Sequence, residues 1–149
     1  MLAFLDKTKN YDKMLVITNK GEKRMEMTSS LEDYLNAIYL LSKEGEGARV
    51  TDISNFLKVK KSSTNKALNV LKEDGLIYYE KYQNITLTEI GFARAKYIHR
   101  RHELFEIFLR DIIKTDENLV QEETEQLAHC ISCHTAAKLQ SFIEEYLQK

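Results

Sequence analysis

The chain has 149 residues, 43% of them apolar and 30% charged, with a net charge of −1. That is enough for one or two small domains with a real core, in an ordinary soluble composition. No stretch reaches the roughly 18 consecutive apolar residues of a membrane span. The start, "MLAFLDKTKNYDKMLVITNK", has no basic lead-in and unbroken apolar core, so no secretion signal is expected. Two cysteines without such a signal fit a reducing cytoplasm better than a disulfide framework. The charge is unevenly placed. Residues 49–102 carry eleven Lys/Arg against five Asp/Glu, a net +6, and residues 103–149 carry four against ten, a net −6. A basic middle points to a polyanion partner, and an acidic end to a cation.

Residues 1–27 read as a polar, partly ordered extension with one apolar patch, "MLVIT". From Thr28 the pattern sharpens. "TSSLEDYLNAIYLLSKEG" opens on Ser/Thr caps and runs Leu31, Leu35, Ile38 and Leu41 along one face, which predicts a helix ending near Gly45. "RVTDISNFLKV" is a short helix capped by Thr51 or Asp52, with Ile53, Phe56 and Leu57 inward. "KKSSTNKALNVLKEDGLI" is a third, with Ala67, Leu68 and Leu71 buried and Gly75 as its stop. In "LIYYEKYQNITLT" the period drops to two on either side of a "KYQN" turn, which predicts a β-hairpin. A long helix then runs to about Ile113, with helices near 118–132 and 135–147 after it.

Three helices followed by a two-stranded wing is the order of a winged helix-turn-helix, whose third helix enters the major groove. Its start carries Lys60, Lys61, Ser62, Ser63, Thr64, Asn65 and Lys66. Hydroxyls and amides reach base edges, lysines neutralise phosphates, and a helix N-terminus favours an anion. Lys81 and Tyr82 at the wing tip face the DNA backbone or minor groove in this reading. Taken alone, "KKSSTNK" also fits a solvated helix start; the order of elements around it favours DNA.

"RRHELFEIFL" poses a different question. Ile98, Phe105, Leu109 and Ile112 form a helical stripe, His102 sits on it, and Glu106 follows one turn later. Asp33 and Asn36 share a face three residues apart, and Glu125 and His129 lie four apart, off a Val120–Leu127–Ile131 stripe. An Asp, a Glu and two His form a mixed N/O donor set for a borderline divalent ion. By itself His102 reads more readily as a core histidine bonded to a carboxylate than as a metal ligand.

The pieces "EDYL", "LIYYEKY", "LT..G" and "RHEL.E.FL" resemble the diphtheria toxin repressor family of metal-dependent transcription repressors, over about residues 28 to 147. The short manganese-repressor branch, without an SH3-like domain, looks closest. The resemblance implies a homodimer on operator DNA, with metal held between the first helix and the helices after the wing. It carries ligand roles to Asp33, His102, Glu125 and His129. Asn36 and Ala128 stand where the manganese branch has glutamates. Gln121 stands where the toxin-repressor branch has a histidine of an ancillary site, whose glutamate is Glu106. Fewer carboxylates leave Fe, Co, Ni or Zn as plausible as Mn, and a degenerate site remains open.

"CISCH", Cys130 to His134, has the c-type haem spacing but no export signal beside it. The two thiols read more simply as small interface residues. No enzyme is expected: "HELFE" lacks the second histidine of zinc-protease spacing. The sequence therefore predicts a mostly α fold, with a winged helix-turn-helix DNA-binding domain at 28–98 and a helical metal-binding and dimerisation domain at 99–149. Phe105, Phe108, Leu109 and Ile112 are the predicted dimer residues. A winged-helix regulator of the multiple-antibiotic-resistance type, sensing a small organic ligand, is the alternative.

Overall fold

The computed structural model describes residues 27–42 and 46–149. The expectations for residues 1–26 and for Gly45 fall outside them. The elements are α1 (Ser29–Leu41), α2 (Val50–Phe56), α3 (Lys61–Glu73), β1 (Ile77–Tyr78), β2 (Thr86–Leu87) and α4 (Glu89–Ile107). A π-helical turn (Phe108–Ile113), α5 (Glu117–Cys130) and α6 (Cys133–Leu147) complete the chain. Residues 27–100 form one compact unit, and residues 101–149 belong to a second. Among the described residues no helix is long and apolar enough to cross a membrane.

In the first unit, α1, α2 and α3 pack on one another and the hairpin closes the core. Leu35, Ile38, Ile53, Leu68, Leu71 and Ile85 are fully buried, each worth about 1.5–3 kcal/mol relative to exposure. Thr28 caps α1, its hydroxyl accepting from the Leu31 N–H. The inward face of α1 is Tyr34, Leu35, Ala37 and Ile38, broader than the predicted stripe. Helix α2 starts two or three residues earlier than predicted. Its cap position is Arg49, with no side-chain cap, so Thr51 and Asp52 lie inside the helix rather than capping it. Phe56 is half exposed and Ser54 takes the buried position. Ile53 is buried and Leu57, just past the helix end, packs partly buried on the same core, as predicted.

Gly75 ends α3 at φ +69°, a left-handed step that costs glycine least. Its N–H bonds Lys72 O, and the Leu76 N–H bonds Leu71 O, which satisfies the last carbonyls of the helix. The hairpin is antiparallel, with Ile77 opposite Leu87 and Tyr78 opposite Thr86. Thr88 ties wing to α4: its hydroxyl donates to Gly75 O and accepts from the Gly91 N–H. There a Cβ on Gly91 would stand 1.8 Å from Leu76 O.

In the second unit Leu104, Ala136 and Ile143 form a core, flanked by Ile107, Phe108, Ile112, Ile131, Leu139 and Leu147. The predicted helix to Ile113 is present, but its last six residues widen into the π-turn. Leu109 O accepts from both Lys114 and Thr115, and Lys114 closes the turn at φ +61°. The inward stripe of α5 is Val120, Thr124 and Ala128, an i, i+4, i+8 row. Of the predicted Val120–Leu127–Ile131 stripe, Val120 is buried and Ile131 packs on the second core, and Leu127 is exposed. Ser132 caps α6 by accepting from the Thr135 N–H.

Candidate metal centre and nucleic-acid interface

The first turn of α3 is open. Lys60, Lys61, Ser62, Ser63, Asn65 and Lys66 are all exposed. Thr64 is the exception and leaves the set of DNA-facing candidates. It is completely buried, its hydroxyl donating to Lys60 O one turn back, because position 64 falls on the same face as Ala67, Leu68 and Leu71. Asn65 is partly committed: its Oδ1 accepts from the Tyr79 hydroxyl at 3.0 Å. That bond fastens the hairpin to α3 and leaves the amide N–H₂ outward. Lys72 and Glu80 add a 2.9 Å ion pair between the same elements. At the wing tip Tyr82 is 94% exposed at φ +70°, and the Lys81 ammonium lies 5.1 Å from its ring centre. An exposed aromatic and a cation in a strained turn form a surface that a phosphate backbone can meet.

Of the predicted metal ligands, two are brought together within the second unit. The His102 and His129 rings lie edge to face with centroids 5.6 Å apart, α4 supplying one and α5 the other. His102 Nε2 is shielded from solvent. Glu125, one turn before His129, is exposed. In the first unit Asp33 and Asn36 lie half-buried on α1. Asn36 Oδ1 is itself buried, without a hydrogen-bond partner among the described residues. Thr124 Oγ1 in the second unit is in the same condition. Among the described residues no three His, Cys, Asp or Glu side chains stand together as a metal cage.

The donors present nonetheless fit a divalent ion. Two imidazoles sharing one ion at about 2.0–2.1 Å put their ring centroids about 5 Å apart, close to the separation here.

Glu106 is placed otherwise than expected. Its Oε1 accepts from Arg110 Nη1 at 2.7 Å. The same guanidinium grips Glu117, with Nη2 to Oε1 at 2.7 Å and Nε to Oε2 at 3.0 Å. The hydrogen bonds that Arg110 donates to Glu117, then to Glu106, raise its pKa beyond its ordinary value. The Arg110 hydrogen bond holds the Glu117 carboxyl below its usual range. Glu106 and Arg110 at i, i+4 are a visible pair in the sequence. Glu117 has no such signal, since it lies beyond the π-turn.

The predicted dimer residues divide. Phe105 and Leu109 are buried within the chain, at 2% and 5% exposure, so they are core and not a free face. Phe108 and Ile112 are half-buried against the second core. Among the described residues of this unit, the large exposed apolar side chains are Ile113, Leu119, Leu127, Phe142 and Tyr146, and Phe142 and Tyr146 stack at 6.2 Å. Cys130 ends α5 and Cys133 begins α6; both thiols are free, with Ile131 and Ser132 extended between them.

Two family descriptions match the chain. One, the iron dependent repressor N-terminal DNA binding domain, covers residues 26–85; the other, the iron dependent repressor metal binding and dimerisation domain, covers residues 88–148. An uncharacterized HTH-type transcriptional regulator of Methanocaldococcus jannaschii is 36% identical over 124 residues, 83% of this chain and 99% of that protein. The HTH-type transcriptional regulator MntR of Bacillus subtilis is 37% identical over 119 residues, 80% of this chain and 83% of the relative. Among solved structures, the manganese regulator SloR superposes with a TM-score of 0.69 at 29% identity over 79% of this chain. The chain spans 55% of the length of that SloR chain.

Proposed function

This chain belongs to the iron dependent repressor family, and we propose that it is a metal-responsive transcriptional repressor that binds operator DNA as a homodimer in the cytoplasm. The observation that carries the metal reading is the approach of His102 to His129, from two helices, in the segment matching the family's metal-binding domain. The residues that would hold the ion are His102 and His129, with Asp33, Glu125 and Asn36 as oxygen donors. When bound, the metal supplies a positive charge that neutral imidazoles and carboxylates from separate helices can share.

The chain's own groups do the rest. Lys60, Lys61 and Lys66 neutralise phosphates, and Ser62, Ser63 and the Asn65 amide are presented towards base edges. Tyr79 fixes Asn65 and so the wing against the reading helix. Lys81 and Tyr82 meet the backbone beside it. The exposed Phe142–Tyr146 stack and its apolar neighbours serve the second copy.

The regulator type that senses small organic ligands is not favoured, since both family matches are to the metal-dependent class. The test is DNA binding to a site selected from random duplexes, measured with Mn²⁺, Fe²⁺, Co²⁺, Ni²⁺ or Zn²⁺ and with chelator. Affinity that rises with one of these ions is expected. Affinity indifferent to chelator would replace this reading with that of a degenerate site.

A further inference from the structure

Between α3 and the wing, one hydrogen bond decides what an exposed side chain can offer a base. We propose that Tyr79 fixes the Asn65 amide as a donor only, so that Asn65 selects guanine over adenine in the operator. This role for Asn65 rests on the proposed reading that α3 meets base edges.

Asn65 is exposed near the N-terminus of α3, in the segment matching the family's DNA binding domain. An asparagine amide ordinarily presents a carbonyl and an N–H₂ side by side, the complement of adenine's N6 donor and N7 acceptor. Here the carbonyl half is turned to the wing, where Oδ1 accepts from the Tyr79 hydroxyl at 3.0 Å. A phenol donates better than it accepts, because its oxygen lone pair is delocalised into the ring, and that favours this sense of the amide over its flip. The Tyr79 ring packs partly buried against the core of the first unit, so the hydroxyl is held from behind. The Lys72–Glu80 pair, at 2.9 Å, fastens the next residue of the wing to α3 as well. What Asn65 keeps outward is two N–H donors. Guanine presents two acceptors, O6 and N7, in the major groove, whereas adenine sets its N6–H₂ donor beside a single acceptor. A donor-only amide meets guanine with both hydrogens and leaves the adenine N6–H₂ facing no acceptor, which weakens binding. Tyr79 is therefore a positioning residue: it acts on the base through Asn65.

Binding-site selection from random duplexes, run on the full-length protein with each of the divalent ions above, reads the preferred base at every position, with circular dichroism as the check on folding. Asn65→Ala should erase the preference at one position and keep the others, which marks the position Asn65 reads. Wild type should select guanine there, about 10-fold over adenine. Replacing that guanine by a deaza analogue lacking N7 should weaken wild type and leave Asn65→Ala unmoved. Tyr79→Phe keeps the ring in the core and removes only the hydroxyl, so the freed Oδ1 should shift the preference at that position towards adenine while affinity elsewhere in the site is kept. A tie that is merely structural would instead lower affinity at every position alike. Any base other than guanine in wild type, an unchanged preference or a uniform loss in Tyr79→Phe, or no position altered by Asn65→Ala would overturn the assignment and leave the metal-responsive reading intact. A wild-type protein that selects no duplex with any ion would overturn both.

Discussion

His102 and His129, 27 positions apart in the chain, meet edge to face at a centroid separation of 5.6 Å. Their helices, α4 and α5, are separated in sequence by the π-turn and the Lys114 bend. An imidazole pair in that geometry is a gauge of ion binding, because both rings must offer a nitrogen to the same point. His102→Ala should reduce affinity for the activating ion at least 10-fold while leaving the helical circular-dichroism signal unchanged. Isothermal titration reads the affinity. Wild-type affinity in the mutant would remove His102 from the site.

Binding to DNA should weaken steeply with salt, because the exposed lysines of α3 contact phosphates. Each phosphate contact contributes about 0.9 to the slope of log K against log salt. Lys60→Ala and Lys66→Ala should each flatten the slope by about that amount without changing the preferred site. Ser63→Ala should leave the slope alone and alter sequence preference. Fluorescence anisotropy between 50 and 300 mM salt, on matched and altered duplexes, separates the two outcomes. Thr64→Val should have no effect on the slope, since Thr64 is buried.

Gly91→Ala should destabilise the first unit strongly. The added methyl would sit 1.8 Å from Leu76 O, and backbone cannot yield as a side chain does. Overpacking of this kind costs about 1–3 kcal/mol. Separation of the helix from the wing would also loosen the Thr88 bonds to Gly75 and Gly91. A melting temperature within one degree of wild type would show that the junction adjusts freely.

The Arg110–Glu117 pair should leave a signature in acid. The folded-state pKa of Glu117 is lowered, so its contribution to stability is present above the unfolded carboxylate value of about 4.3. It is lost as pH falls through the lower folded value. Arg110 stays charged throughout, its pKa being raised further from neutrality. The difference in melting temperature between wild type and Glu117→Gln should therefore be constant from pH 7 to 5 and close below about pH 4. The difference itself should be small, because the pair is exposed. A difference that widens in acid would contradict the assigned sign.

Association should depend on the exposed aromatic stack rather than on Phe105 or Leu109. Phe142→Ser with Tyr146→Ser should raise the dimer dissociation constant at least 10-fold in sedimentation, with the fold retained. Phe105→Ala should instead lower the melting temperature, as a core truncation costing about 3–5 kcal/mol. If the double serine variant remains a dimer at wild-type concentrations, the interface lies elsewhere.

The sequence by itself determined the order and type of the elements. Caps at Thr28 and Gly75, the change of period at the hairpin and the resemblance carried by "RHEL.E.FL" are local signals, and the family they pointed to is the one the chain belongs to. Local signals also predicted an exposed basic start to α3. They did not show that Thr64 turns inward, that Phe56 turns outward, or that the buried stripe through Phe105 and Leu109 is spent on the chain's own core and not on a second copy. Such choices depend on which face of a helix its neighbours cover, and one residue of rotation moves a side chain by about 100°. The π-turn is the sharpest case. It breaks the 3.6-residue period that the stripe through Ile112 assumed, and it places Arg110 against Glu117, seven residues on, as well as Glu106, four residues back. Only tertiary structure decided that Arg110 also holds Glu117 and that two distant histidines face each other, because both follow from where separate helices are brought by packing.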